Sequence, residues 1–267
     1  MQSFVVWFLF LFGTAIYAQG NHRVEFYLSS SKLNYTEYAL DEAVLDTEDS
    51  DFGDIGGFTL CYSYGFFHKQ NSFFELDFFY KKTQGNSDYV GAVLGSDAPY
   101  GSYRNTTKNK IYDYGLQLNY IHRINQLFGY RLLFGLAKHK WQRDLLPTQS
   151  EVYEWMPLMF GVGGDLHLDV GYAVVFHGAL KYNYNLAATM NLSTTQTDFA
   201  LGRVENFITT LGFTCDLTKD WQVVFDYEFN LQSIYASDVV QTPLGLMYEP
   251  RSKDKQQHLN IGLGYSF

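Results

Sequence analysis

The chain has 267 residues, which is enough for one large domain. Its formal net charge of −9 argues against a nucleic-acid partner, because such a partner requires a basic surface. Aromatic residues make up 18% of the chain, with 22 Tyr and 23 Phe. This content exceeds what a soluble globular domain usually needs, and it favours pleated surfaces and the boundary of a membrane.

The N-terminus has the pattern of a secretory signal peptide. Residues 4–12 are apolar without a break, and the small-residue stretch Ala15–Gln19 follows. The apolar run is too short to cross a bilayer as a helix, which needs about 20 residues. We therefore predict a signal peptide over residues 1–18, cleaved after Ala18, and a barrel domain over residues 19–267.

The rest of the sequence has no long apolar run, which excludes a helical membrane protein, and it alternates with the period of a β-strand. The segment 221–232 shows the alternation most clearly. Its odd-numbered positions are apolar, and most of its even-numbered positions are polar. Because most other segments repeat a bulky apolar face, they indicate one continuous apolar outside, as in membrane barrels.

The alternation predicts ten strands. Short connections alternate strictly with long ones, as in membrane barrels with short periplasmic turns. The predicted fold is all-β, a ten-stranded antiparallel transmembrane β-barrel with up-and-down meander topology. It would lie in the outer membrane with both termini periplasmic. The predicted strands are 22–34, 53–67, 72–84, 107–124, 128–142, 150–166, 171–190, 203–217, 220–234 and 254–267.

The last predicted strand carries a candidate assembly signal. Leu263, Tyr265 and Phe267 lie on one face and end the chain on a terminal Phe. This ending resembles the C-terminal signature of outer-membrane barrels, which the barrel assembly machinery recognises. The resemblance implies that Phe267 matters for assembly.

Three segments of the second half resemble the omptins, which are ten-stranded outer-membrane proteases. They are Trp155–Gly161, Gly178–Tyr184 and the closing Gly262–Phe267, and together they cover the last five predicted strands. The strand count also agrees with that family. The resemblance implies an omptin-like architecture.

The omptin catalytic pattern does not accompany this resemblance. That family is identified by a paired Asp-x-Asp on one wall and an Asp-x-His on the opposite wall. Residues 190–198, where the second motif would fall, contain no His, and residues 81–88 offer one acid. The resemblance therefore extends to the architecture and not to the activity.

A candidate general base lies on two adjacent predicted strands. The turn near residues 125–126 places Asp113 opposite or diagonal to His139, with both side chains in the lumen. A carboxylate can orient the imidazole of such a His and stabilise its protonated form. A hydrogen-bonded pair that fills space is the alternative, because lumen polar groups need partners. On the facing wall, His258 is expected in the same half of the lumen.

The lumen and the first long loop carry most of the remaining charge. We expect an interlocked network that plugs the lumen, with a small pore as the alternative. Cys61 is expected in the lumen and Cys215 toward lipid, without a disulfide between them. In the acidic first loop, weak metal candidates are Asp46, Glu48, Asp49 and Asp51, since oxygen clusters can hold Ca²⁺. The predicted lumen charges are Glu25, Glu75, Asp77, Arg131, Lys181, Asp226 and Glu228.

Three functions remain open from the sequence. The first is a non-enzymatic outer-membrane barrel whose long extracellular loops serve interaction or structure, which the missing omptin motifs favour. The second is an omptin-like protease or another outer-membrane hydrolase, and the third is a narrow passive pore. The expected partners are outer-membrane lipid, lipopolysaccharide, the barrel assembly machinery and an extracellular ligand. Neither a cofactor nor nucleic acid is expected.

Overall fold

A computed structural model describes residues 21–92, 99–146 and 149–267. The predicted signal peptide lies outside the described residues. Within the described ranges, no helix is long and apolar enough to cross a membrane.

Ten long strands form a closed antiparallel barrel, as predicted. The barrel strands are β1 (Asn21–Tyr38), β3 (Ile55–Lys69), β4 (Ser72–Gly91), β5 (Tyr103–Arg123), β6 (Phe128–Leu146), β7 (Gln149–Asp169), β8 (Ala173–Leu192), β10 (Val204–Asp216), β11 (Trp221–Ile234) and β14 (Arg251–Ser266). Each pairs with the next barrel strand in the chain, and β1 closes the ring by pairing with β14 from Arg23 opposite Ser266 to Tyr38 opposite Arg251.

The two ends of the barrel differ. At one end, called here the turn end, four short turns join the strands, and the two ends of the described barrel, Asn21 and Phe267, meet. At the other end, called the loop end, the connections are longer and contain extra structure. That structure comprises the short strands β2 (Val44–Asp49), β9 (Thr197–Ala200), β12 (Val240–Thr242) and β13 (Gly245–Met247).

Most of the predicted strands stop too early at the loop end, whereas β3, β10 and β11 agree there with the prediction to within two residues. Strand β4 continues to Gly91 rather than residue 84, and β5 begins at Tyr103 rather than residue 107. Many residues predicted to lie in long loops are therefore hydrogen-bonded β-strand residues. The reason is that backbone pairing continues in β4 and β5 beyond the last outward apolar residue, so the end of the apolar pattern does not mark the end of the strand.

The outer surface carries an apolar band on the half of the barrel nearer the turn end. Its side chains point outward and are strongly exposed, in keeping with strands that face lipid on one side. Representative members are Phe26, Leu28, Leu116, Phe134, Leu136, Phe160, Val162, Leu180, Phe207, Leu211, Ile261 and Leu263.

Above the apolar band, toward the loop end, the outward positions become polar, and most of the charged ones are basic, although outward carboxylates such as Glu154 and Asp144 pair with some of them. In β6 the outward series runs from Leu132, Phe134 and Leu136 to Lys138 and Lys140. Eleven of the 19 Lys and Arg residues occupy such positions, and we call them the basic belt. They are Lys32, Lys82, Arg104, Lys108, Lys110, Lys138, Lys140, Arg203, Arg251, Lys253 and Lys255.

At the same height the inside of the barrel becomes apolar. Trp141, Tyr153 and Trp155 are at most 1% exposed and form the centre of the main buried core. We call this the loop-end core. Its other members are Leu33, Tyr35, Ile55, Ile111, Ala188, Met190, Leu192, Phe199, Leu201, Val204 and Ile234.

Candidate functional site: a lumen cavity beneath the loop-end core

A cavity of about 530 Å³ occupies the lumen within the apolar band. At the turn end its lining includes the exposed side chains of Arg123 and Asp216, so the cavity reaches the surface there. At its upper limit it is lined by His139, Trp155 and His258, each at least nine-tenths buried. Trp155 belongs to the loop-end core, and the rest of that core lies above these residues.

The predicted pair of Asp113 and His139 is present at this upper limit. The two residues lie directly opposite each other on β5 and β6, and Nδ1 of His139 is 2.6 Å from Oδ1 of Asp113. The imidazole also stacks on Trp155, with ring centroids 4.4 Å apart. Its second nitrogen, Nε2, is buried and has no hydrogen-bond partner among the described residues. The ring is thus held by Asp113 at Nδ1 and by Trp155 on one face, and Nε2 is left available.

Charged groups from the facing wall reach the same region. Lys81 of β4 donates a hydrogen bond across the lumen to Glu228 of β11 at 3.1 Å. Nε2 of His258 lies 3.8 Å from the same carboxylate, and its Nδ1 lies 2.6 Å from Oγ of Ser31. The predicted placement of His258 in the upper lumen is therefore confirmed, and Lys81 and Ser31 are partners that the sequence analysis did not single out.

The other lumen charges pair near the cavity walls. Arg23 lies between Glu25 and Glu75, at 3.2 and 3.3 Å. Arg131 contacts Asp165 at 2.9 Å, and His177 contacts Asp226 at 2.6 Å. All seven predicted lumen charges line the cavity, but the expected plug of interlocked charges is wrong at this level. These pairs join strands that are adjacent or separated by one strand, so they keep the charges near the wall. Of the ion pairs that line the cavity among the described residues, only Lys81–Glu228 crosses the lumen, at the upper limit of the cavity.

The barrel is sealed higher up by a charged group inside the loop-end core. The buried guanidinium of Arg143 contacts Glu37, Glu48 and Glu151 at 3.1, 2.9 and 2.8 Å. Its carbon centre lies 4.1 Å from the ring centroid of Tyr35, a cation–π contact. These contacts draw β1, β2 and β7 together across the loop end. We call the loop-end core, together with Arg143 and the carboxylates around it, the seal.

Carboxylates in this seal outnumber the cation, and burial changes their protonation. Burial raises the pKa of Glu249 well above its usual range, and the neighbouring Glu37 and Glu151 raise it further. Burial raises the pKa of Asp254 to about 7. Both groups lie beyond the apolar band. The seal therefore holds protonated carboxyl groups under mildly acidic conditions.

The four weak metal candidates of the first loop do not converge on one point. Tyr89 donates to Asp46, Arg143 binds Glu48, Asn34 donates to Asp49, and Lys32 donates to Asp51. Across the residues that the structure describes, no group of three or more His, Cys, Asp or Glu side chains is arranged to hold a metal ion. Each acid instead has its own structural partner.

The predicted assembly residues close the barrel at the turn end. Leu263 and Tyr265 point outward on β14, and Phe267 exchanges backbone hydrogen bonds with His22 at 3.0 and 3.2 Å. The Phe267 ring stacks on His22, with centroids 5.4 Å apart. Their role in assembly stays a prediction. As predicted, Cys61 lines the cavity, and both cysteines are free.

Neither known protein-family profiles nor curated protein sequences match this chain. Solved structures do. The outer membrane protease OmpT from Escherichia coli is similar with a TM-score of 0.55 at 12% identity, covering 92% of this chain and 97% of that one. The chain therefore has the fold class of outer-membrane β-barrels, and its ten-stranded architecture is omptin-like, as the sequence indicated.

Two further solved barrels are similar only at low TM-scores. The transport unit of the autotransporter AIDA-I from Escherichia coli matches at 0.45, with 11% identity over 94% of this chain and 91% of that one. The Ail protein of Yersinia pestis matches at 0.37, with 13% identity over 94% of this chain and all of that one.

Proposed function

We propose that this protein is a non-enzymatic surface barrel of the outer membrane, with its loop end outside the cell and an interaction or structural role. The observation that carries the proposal is the seal. Trp141, Tyr153 and Arg143 close the lumen beneath the outer loops. A sealed barrel with elaborated loops suits an anchor that presents a surface.

The distribution of outward side chains supports this orientation. The apolar band fits hydrocarbon, and the basic belt lies directly above it on the loop-end side. Lys and Arg at this height suit the phosphate groups of lipopolysaccharide in the outer leaflet. The turn end, with Asn21 and Phe267, would then face the periplasm, where the barrel assembly machinery acts.

The loop-end surface favours a basic partner. The first loop exposes the side chains of Asp41, Glu42, Asp49 and Asp51. Some of these carboxylates form ion pairs with residues at the rim of the barrel, as Glu42 does with Arg251. A local excess of carboxylates attracts cationic surfaces and repels anionic ones. We therefore expect the extracellular ligand to present Lys or Arg.

The same geometry argues against the other two functions. A passive pore needs a continuous polar lumen, and the loop-end core interrupts it. An omptin-like protease needs catalytic groups open to the outside, whereas Asp113 and His139 lie beneath the core. The missing Asp-x-His and Asp-x-Asp motifs point the same way.

Conductance and cleavage assays test the proposal together. Purified protein in planar bilayers is expected to show no steady conductance, because the core blocks ions. Protein supplied with lipopolysaccharide is expected not to cleave dibasic peptides. The matched control is the His139→Ala variant. Cleavage by the parent that disappears in this variant, or stable single-channel currents, would overturn the non-enzymatic reading.

A further inference from the structure

Four buried side-chain atoms of the cavity lining that can accept a hydrogen bond lack partners among the described residues. Two of them are Oδ1 of Asp77 and Oγ1 of Thr210, and the other two are Nε2 of His139 and Oδ1 of Asn183. His139 and Asn183 line the cavity near its upper limit, on β6 and β8, and both are more than nine-tenths buried. Burying such groups without partners is costly, so native structures nearly always satisfy them. A bound molecule is one way to do so.

The hydrogen bond to Asp113 sets the chemistry of His139. When Nδ1–H donates to the carboxylate, Nε2 carries the lone pair and accepts. The amide oxygen of Asn183 also only accepts. A molecule that satisfies both groups must therefore bring hydrogen-bond donors to two points on the wall.

The charge of the cavity selects among possible donors. Carboxylates outnumber Lys and Arg in the lining by eight to five. Low-dielectric walls around a cavity lined by an excess of one charge strengthen its attraction for a cation. The carboxylates are spread along the wall from Asp216 at the turn end to Asp113 and Glu228 at the upper limit. An elongated molecule with several positive charges fits this spacing better than a single ion.

Size and access agree with a small organic molecule. A cavity of about 530 Å³ falls in the range typical of ligand pockets, roughly 300–1,000 Å³. The opening lies at the turn end, past Arg123 and Asp216, and the loop-end core closes the other end. A ligand must therefore enter and leave through the turn end.

We propose that the lumen cavity binds a linear aliphatic polyamine that enters from the turn end. One ammonium group donates to Nε2 of His139, a second donor reaches Oδ1 of Asn183, and the surrounding carboxylates balance the charge. This site is separate from the surface role proposed above, because it faces the opposite end of the barrel.

Calorimetric titration of the full barrel in nanodiscs tests the proposal, since nanodiscs leave both ends accessible. Spermidine is the probe. Glucose tests a neutral donor-rich molecule, inorganic phosphate an anion, and magnesium chloride a metal alone. We expect saturable binding of spermidine and none of the other three. Binding of glucose as tight as that of spermidine, or binding of phosphate or magnesium in its place, would overturn the proposal.

Two variants test the named contacts. Asp113→Asn reverses the hydrogen bond to His139, so that Nε2 becomes a donor, and Asn183→Ala removes the other acceptor. Each is expected to weaken spermidine binding roughly tenfold or more. The matched control is Asp198→Asn, which removes an exposed charge at the loop end. Heat-modifiable mobility checks folding. Unchanged affinity in both folded cavity variants, or an equal loss in the control, would contradict the assignment.

Discussion

Arg143 shows how one residue organises the loop end. Its guanidinium is buried, and Glu37, Glu48 and Glu151 come from three different strands to meet it. Asn109 and Ser87 add hydrogen bonds to the Glu48 carboxylate. A buried charge is tolerated only when it is paired and hydrogen-bonded in this way. The stability of the seal therefore depends on this cation.

Replacing Arg143 should destabilise the barrel strongly. In Arg143→Leu the three carboxylates lose their shared partner, and breaking a buried pair typically costs about 3–5 kcal/mol. Urea unfolding followed by tryptophan fluorescence measures the change. The control is Lys110→Leu, which removes a more exposed ion pair to Asp144 and should cost at most about 1 kcal/mol. Equal effects of the two substitutions would refute the special role of Arg143.

The protonation of Asp254 predicts a pH-dependent seal. Its pKa is raised to about 7 by burial, so the folded state binds a proton more tightly than the unfolded chain does. Its contribution to stability is full below the ordinary pKa near 4 and is lost as the pH rises through about 7. The midpoint of thermal unfolding should therefore be higher at pH 5 than at pH 8.

Asp254→Asn provides the comparison. The amide cannot ionise, so the variant should lose part of the difference between pH 5 and pH 8. Asp198→Asn, at an exposed position, should keep the full difference. A parent protein that is equally stable at both pH values would show that buried carboxyl groups do not control the seal.

The sequence predicts some of these residues and not others, for a physical reason. Asp113 and His139 belong to adjacent strands joined by a short turn, so counting from the turn fixes their register. The partners of Arg143 come from β1, β2 and β7, and 106 positions separate it from Glu37. Such contacts depend on barrel closure and on the folding of the first loop, which local periodicity does not encode.

The strands reverse their amphipathic character along their length. Within the apolar band the outward side chains are apolar and most inward ones are polar, apart from a small inward cluster of Leu133, Ala137 and Met159. Above the band, as in β6 with Lys140 outward and Trp141 inward, the arrangement is inverted. The alternation predicts every barrel strand from sequence. It underestimates the length of several strands, β4 most of all, because a pattern that assumes an apolar outside does not recognise the inverted part as strand.

A pair of substitutions tests this inversion. Leu180→Arg places a charge on the outward apolar band and should destabilise the barrel by about 2–4 kcal/mol if it lies near the bilayer midplane. Val152→Arg makes the same kind of change at an outward position of β7 above the band, where water solvates the charge. It should cost less than about 1 kcal/mol. Unfolding in lipid vesicles measures both, and equal costs would contradict the band boundary.

The closing strand should also matter for assembly. Deleting Phe267 removes the backbone bonds to His22 and the stacked ring at the turn end. We expect less heat-modifiable barrel in the membrane fraction of cells. Deletion of Phe267 should reduce the yield more than the control Leu244→Ala does, because Leu244 is exposed at the loop end, far from Phe267. Normal yields without Phe267 would count against the assembly signal.

The whole molecule combines two stacked halves with opposite interiors. The half inside the apolar band has a polar, hollow lumen that opens at the turn end. The half above it has an apolar, filled interior that Arg143 and its carboxylates hold closed. The proposed placement, with lipid around the first half and water around the second, accounts for both interiors. This arrangement is the basis for placing the loop end outside the cell.

Single-cysteine labelling measures that orientation most directly. In a background with Cys61→Ser and Cys215→Ser, cysteine is introduced by Leu244→Cys in the β12–β13 loop or by Lys219→Cys in a turn, both at exposed positions. Intact cells are treated with a large polyethylene glycol maleimide that cannot cross the outer membrane. We predict labelling at position 244 in intact cells and at position 219 only after permeabilisation. Labelling at position 219 but not at position 244 in intact cells would contradict the account.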